Sequence, residues 1–331
     1  MDRTRQDRQL SFQNQKRKNY FEGWYFKQVS ADERLILSVI PSMMRTEHEE
    51  KAMLQIIIAE NNGEWKIRTK QLEFPMQSFQ YTDNPFSVKI GDNIFSEEGI
   101  HLNITNESKL DASDCEIQCD ITFGTFTKLP TTTISPTIMG PFSYLPFMEC
   151  IHGIGSLHHT LKGYLKINGR NISFDGGIGY LEKDWGQSFP KSYIWLQSNH
   201  FNRRPSSLFF SWADIPLGPL SFNGFICHLW IEGKHYRFAT YNGASCTIHD
   251  MSEDKIELAL KKRNFILHIK AKIDIKVALS APKHGQMDHQ IKEGLTGTIN
   301  FRLVNQDTGE EIEDSSSLSG VEIVPALLKK S

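Results

Sequence analysis

The sequence predicts an all-β protein built from antiparallel sheets, on three observations. Apolar and polar residues alternate at period two along most of the chain, short turn signatures separate the runs, and long helical periodicity is missing. The first block, NYFEGWYFK from Asn19 to Lys27, places Tyr20, Glu22, Trp24 and Phe26 on one face of an extended segment. A break follows at Asn61 to Gly63. In YLKINGRNISF, Asn168 and Gly169 stand between alternating runs, a hairpin signal because both central residues of a type I′ turn need positive φ. In GYLEKDWGQSFP, from Gly179 to Pro190, Glu182 and Asp184 fall on one face and Lys183 and Trp185 on the other. Glu232 and Gly233 mark another turn. Ile256, Leu258 and Leu260 alternate in one strand and Phe265, Leu267, Ile269, Ala271 and Ile273 in the next, with the turn at Lys262 to Asn264. Leu295, Gly297, Ile299, Phe301 and Leu303 form a late strand that SGVEIV pairs with across a polar, acidic loop expected from Asn305 to Ser317. So many short strands must close or stack to remove their edges, as barrels and sandwiches do.

At 331 residues the chain is long for one ordinary domain, so two units are expected. A net charge of −2 leaves no basic field for a phosphate backbone, which argues against nucleic acid as a partner. Residues 1–19 form a polar, basic N-terminal arm with no apolar stretch of the secretory kind. The cysteines (Cys115, Cys119, Cys150, Cys227, Cys246) are odd in number in a long chain, which fits a reducing cytoplasm. On one strand Cys115 and Cys119 would stand roughly 13 Å apart, beyond disulfide reach.

From Leu129 to Met148, LPTTTISPTIMGPFSYLPFM carries no charge over twenty residues. Pro130, Pro136, Pro141 and Pro146 would break a membrane-spanning helix repeatedly. The segment reads as a lid or mouth over an apolar surface, or equally as a packed crossover loop. A transient membrane contact through 129–148, with the protein peripheral to the bilayer, stays open on this reading.

No GxSxG, HExxH, P-loop or CxxC pattern is present. Gly153 and Gly155 in HGIGSLHH imitate half of a dinucleotide fingerprint, without the third glycine or the following helix. His152, His158 and His159 are candidate ligands in principle, but adjacent strand residues face opposite sides, and no metal is expected. What remains is acids in apolar company: Glu22 among rings, Glu149 beside Phe147 and His152 in PFMECIHG, and Glu182 and Asp184 beside Trp185. Desolvation penalises the charged form of such carboxyls. Each of these acids also fits a structural role, as a buried hydrogen-bond hub under an aromatic plug.

The segments YFEGWYFK, MGPFSYLPFMECIHG, GYLEKDWGQSFP with the following YIWLQSNHF, and APKHGQMDHQIKEGLTGTI resemble the tocopherol cyclase family, in order, from Tyr20 to about Leu303. More remotely, the early WYF block and the acid-Trp-Gly block are similar to the carotenoid hydratase and hydroxyneurosporene synthase group. That similarity implies two packed lipocalin-like antiparallel β-barrels, 20–186 and 187–331. Nothing in the sequence resembles a plastid transit peptide, which points to a bacterial relative.

Chemically the resemblance implies cofactor-independent cyclisation, an isomerase-class intramolecular lyase reaction. An acid protonates an alkene in the tail of a prenylated phenol or quinol, and the phenol oxygen traps the cation. Such chemistry needs a dry pocket within the barrel, a protonated carboxyl and ring faces that steady a cation by roughly 0.5–2 kcal/mol each. The uncharged loop is suited to excluding water. Within the matching motifs Glu22 and Asp184 are the first candidate acids, with Glu149 and Glu182 behind them. Tyr20, Trp24, Tyr25, Phe147, His152, Trp185 and Trp195 are the candidate substrate-binding residues. The rival expectation is a carrier that holds a hydrophobic prenyl lipid unchanged. A carrier gains nothing from a buried unpaired carboxyl, so full pairing of Glu22 and Asp184 with Lys183 or an arginine would favour it.

Overall fold

The computed structural model describes residues 9–104, 116–145, 148–217, 220–275, 277–283 and 286–324, so Cys115, Pro146 and Phe147 lie outside the described residues. The fold is all-β and lipocalin-like, as the resemblance implies, and divides into two units. The first comprises the described parts of Met1–Thr131, Cys150–Ser188 and Pro282–Met287; the second those of Thr132–Glu149, Phe189–Ala281 and Asp288–Ser331.

The first unit is built on β1 (Tyr20–Val29), β2 (Leu35–Arg45), β3 (Glu50–Asn61), β4 (Trp65–Pro75), β5 (Phe79–Asp83), β6 (Phe86–Ile90), β7 (Asn93–Ser96), β8 (Gly99–Ile104), β9 (Ile117–Phe123), β10 (Cys150–Ile167), β11 (Arg170–Ser173) and β12 (Ile178–Gly186). Their order is β4-β3-β2-β1-β12-β10-β9-β8-β7-β6-β5, with β11 on β10. The sheet rolls because its apolar face must meet itself. Trp24 of β1 reaches Phe86 of β6 at 5.5 Å between centroids, and Phe26 reaches Phe95 of β7 at 5.8 Å. The expected turn at Asn168–Gly169 forms with φ of 47° and 84°.

The second unit holds β13 (Tyr193–Ser198), β14 (Ser206–Leu217), β15 (Leu220–Ile231), β16 (Lys234–Ala239), β17 (Ser245–Met251), β18 (Lys255–Lys262), β19 (Phe265–Lys272), β20 (Val277–Lys283, whose last residues fall to the first unit), β21 (Gln286–Asn305, its first two likewise) and β22 (Glu311–Val324). Their order is β16-β15-β14-β13-β22-β21-β19-β18-β17, with β20 on β21. The barrel nearly closes where Lys262 Nζ donates to Arg237 O at 3.0 Å and Tyr236 meets the Phe265 ring at 5.4 Å. Leu208, Phe210, Leu258, Leu267, Ile299 and Val321, from five strands, fill the inside. The acidic loop is shorter than the sequence reading expects, because Glu311–Ser317 already belong to β22. Asp314 and Ser316 point inward opposite Phe301 and Ile299, and Asp314 survives burial by accepting from the backbone N–H groups of Arg203, Arg204 and Ser315.

The described part of the basic arm is an internal strap of the first unit. Gln9, Leu10, Ser11 and Phe12 are buried, and the Phe12 ring packs on Phe79 and Tyr81 at 5.3 and 4.4 Å. The Gly153 and Gly155 pair is explained here: a Cβ on Gly153 would lie 2.9 Å from Gln9 Cα, and one on Gly155 would lie 2.4 Å from Leu10 Cδ2. The glycines admit a crossing backbone, as strand glycines often do.

His159 on β10 sits between Phe123 and Phe126 at 4.5 and 4.8 Å. Burial, then the neighbouring His158 charge, lowers its pKa from 6.5 to about 3. Between these values the unfolded chain takes up a proton that the folded chain refuses, so this site's contribution is intact above pH 6.5 and is lost as pH falls towards 3. Wild type should lose up to about 1.4 kcal/mol per pH unit more than His159→Gln across this window. Urea midpoints at a series of pH values measure the difference, and parallel curves would refute it.

Candidate active site

The β1–β12 register decides which candidates share a face: Glu22 pairs with Trp185, Trp24 with Lys183, Tyr25 with Glu182 and Gly23 with Asp184. Alternation then sends Tyr20, Glu22, Trp24, Lys183 and Trp185 to the inside of the rolled sheet. Tyr25, Glu182 and Asp184 go to its outer face, with His152 from β10 opposite Asp184.

On the inside, Glu22 and Lys183 form an ion pair with both side chains at 0% exposure. Glu22 also accepts from Gln13 N at 2.8 Å, Asn14 N at 3.0 Å and the Tyr20 hydroxyl at 2.7 Å. Lys183 Nζ donates to Ser11 O and lies 4.5 Å from the Trp185 ring centre and 5.3 Å from that of Trp24. The Trp24 indole donates to Leu10 O at 2.9 Å. Burial first, then the Glu22 charge and hydrogen bond, push the Tyr20 hydroxyl far above its ordinary pKa, so it stays a donor. These four partners of Glu22 are all donors. These residues tie the arm into the barrel, and the apolar chamber expected there is occupied, among the described residues, by the chain's own rings and strap. Aromatics that could line a pocket instead fill it, because the arm brings its own backbone carbonyls and amides to satisfy the buried polar groups.

On the outer face, Asp184 differs from Glu22 in being partly open. Its side chain is 17% exposed and that of His152 18%, and His152 Nδ1 contacts Asp184 Oδ1 directly. Cys150 Sγ stands 3.8 Å from the same oxygen. Glu182, two residues along β12, accepts from the Tyr180 hydroxyl at 2.7 Å. Burial, then the Glu182 charge and hydrogen bond and the Asp184 charge, hold the Tyr180 phenol well above its usual pKa. The Tyr25 hydroxyl lies 3.3 Å from Ser38 Oγ. The face thus gathers two carboxyls, two phenols and an imidazole.

The remaining candidates lie elsewhere. Glu149 and Trp195 belong to the second unit, where a Cβ on Gly320 would come within 2.4 Å of the Trp195 ring. Phe147 lies outside the described residues. Sequence reasoning missed Tyr180, the arm's role, and the buried Tyr193–Glu322 hydrogen bond of 2.7 Å. For the arm, a pair of strand glycines with no turn to make was the available signal.

For metal, the Sγ of Cys150, Nδ1 of His152 and a carboxylate oxygen of Asp184 all lie within 4.8 Å of one another, a donor set that a zinc-like ion accepts. Two of these three donors, His152 Nδ1 and Asp184 Oδ1, are already in direct contact with each other. A groove of about 650 Å³ on the second unit is lined by charged side chains already paired, Arg203 with Glu313 at 3.0 Å and Lys270 with Glu257 at 2.9 Å, which does not suit a hydrocarbon tail. Among the described residues, no helix is long and apolar enough to cross a membrane.

A family model described as tocopherol cyclase-like matches residues 96–324, well over half the chain, and includes β10 and β12 with His152 and Asp184. The chain belongs to the tocopherol cyclase-like family. A probable chloroplastic tocopherol cyclase of Oryza sativa subsp. japonica is 26% identical over 116 residues, 34% of this chain and 25% of that protein, so the match spans about a quarter of that relative's length. Among solved structures, a putative AttH from Nitrosomonas europaea is similar with a TM-score of 0.55 and 13% identity, covering 91% of this chain and 92% of that one. CghA is similar at 0.53 and 10%, covering 93% and 89%. At these identities the two structures speak to fold alone.

Proposed function

We propose that the protein is a cyclase of prenylated phenols or quinols in which Asp184 is the proton donor. The observation that carries this reading is the partly open Asp184–His152 couple on an otherwise buried, phenol-bearing face. Asp184 in its protonated form gives its hydrogen to one carbon of the tail alkene, and the π electrons form the new C–H bond. His152 Nδ1–H donates to the other carboxyl oxygen and stabilises the carboxylate left behind, which favours release of the proton. The phenol oxygen closes on the tertiary cation, its own proton returns to Asp184, and the net change is an isomerisation. Tyr25 on the same face offers a ring to the passing cation.

Glu22 acts as the clamp of the arm, since its four donors leave it nothing to give away. That closed pairing is what a carrier of prenyl lipids would also display. The open couple at Asp184 is what favours catalysis over carriage. None of the four described cysteines is in a disulfide, which supports a reducing, cytoplasmic setting.

Incubating the protein in D₂O with a phytylated dimethylquinol tests the reading. Cyclisation should yield a chromanol carrying one non-exchangeable deuterium at the protonated alkene carbon. Recovery of bound but unchanged quinol would instead make the protein a carrier.

A further inference from the structure

The uncharged segment has a second life at its tip. Residues Thr132–Glu149 belong to the second unit, and their described part is tightly self-bonded. Thr132 and Ser135 exchange backbone hydrogen bonds of 3.0 and 3.1 Å, and Thr137 Oγ1 lies 2.7 Å from Ser143 Oγ. The root is fixed to the barrel wall. Tyr241 donates its hydroxyl to Ile138 O at 2.8 Å, and Phe142 meets Tyr241 and Phe222 edge-on at 6.0 and 6.2 Å.

This firm mount presents Ile134 and Tyr144, which at 73% and 48% exposure are the most exposed large hydrophobics among the described residues. They share one tip, since the Tyr144 hydroxyl donates to Thr133 O at 2.6 Å. Cations gather beside the root. Arg237 Nη1 donates to Ser135 Oγ at 3.0 Å, and Lys262 Nζ donates to Arg237 O at 3.0 Å. Arg263 follows Lys262 in the β18–β19 turn. The Asn264 amide in the β18–β19 turn donates to Asp307.

We infer that this tip is a membrane-docking surface: Ile134 and Tyr144 enter the bilayer interface while Arg237, Lys262 and Arg263 meet anionic headgroups. Two protruding side chains are far from the roughly 800 Å² per partner of a stable protein interface, so a protein partner fits poorly. A small apolar wedge joined to a basic cluster is the two-signal arrangement that reversible bilayer binding uses. The inference goes beyond the proposed reaction and is read without substrate, so either can fail alone.

Co-sedimentation of the full chain with vesicles of phosphatidylcholine, with and without phosphatidylglycerol, tests it. Wild type should pellet with the anionic vesicles and be released by salt. Ile134→Glu should weaken binding roughly tenfold or more, and Arg263→Gln roughly fivefold, with unchanged melting curves. Failure of wild type to bind, or wild-type binding by Ile134→Glu, would overturn the inference. So would a concentration-dependent dimer that Ile134→Glu abolishes in the absence of vesicle binding, which would assign the tip to a second copy.

Discussion

With Asp184 as the proposed proton donor, Asp184→Asn should leave a folded protein that no longer closes the ring, with kcat down about 10²- to 10⁴-fold, the range that a positioned general acid supplies. The amide keeps the size of the carboxyl and an oxygen to accept from His152, so the β10–β12 pairing of His152 with Asp184 survives. It has no acidic hydrogen for the alkene. Because the side chain is already partly open to solvent, its replacement leaves no buried orphan, and the urea midpoint should stay near that of wild type. His152→Gln is the companion variant. It keeps the acid but weakens the donor that stabilises its conjugate base, so turnover should fall less than in Asp184→Asn and the pH–rate profile should move. Full turnover by Asp184→Asn would remove the aspartate from the mechanism, and an unmoved profile in His152→Gln would remove the couple.

The two faces of the signature strands were legible because period two needs no knowledge of the partner strand: Tyr20, Glu22 and Trp24 together, Glu182 and Asp184 opposite Lys183 and Trp185. What each face meets was not legible. The approach of His152 to Asp184 depends on the register between two strands whose relevant residues are far apart in sequence. The arm was hidden for a different reason. Its composition is polar, yet it works inside the barrel through backbone groups, Leu10 O, Ser11 O, Gln13 N and Asn14 N, which every residue type carries. The overlong acidic loop has a related cause, because Asp314 points inward against its polarity and is satisfied by backbone N–H groups of Arg203 and Arg204 from another segment, together with its neighbour Ser315.

Lys183→Met is expected to cost about 3–5 kcal/mol of stability, the range for removing one partner of a buried ion pair. Methionine replaces much of the lysine stem, so packing against Trp24 and Trp185 is largely kept and the loss is electrostatic. Glu22 then remains as a charge at 0% exposure with two backbone N–H groups and the Tyr20 hydroxyl around it but no cation. Because both amides belong to the arm, hydrogen exchange at Gln13 and Asn14 should lose protection first, before the β1–β12 ladder opens. The double variant Glu22→Gln, Lys183→Met neutralises both members and should be more stable than the sum of the single losses, which a double-mutant cycle in urea reads directly. Additive losses, or protected Gln13 and Asn14 amides in Lys183→Met, would mean that the pair does not hold the arm. Lys183 and Asp184 are neighbours on β12 facing opposite ways, so one residue step along the chain should separate a variant that loses stability from one that keeps it and loses the proposed reaction.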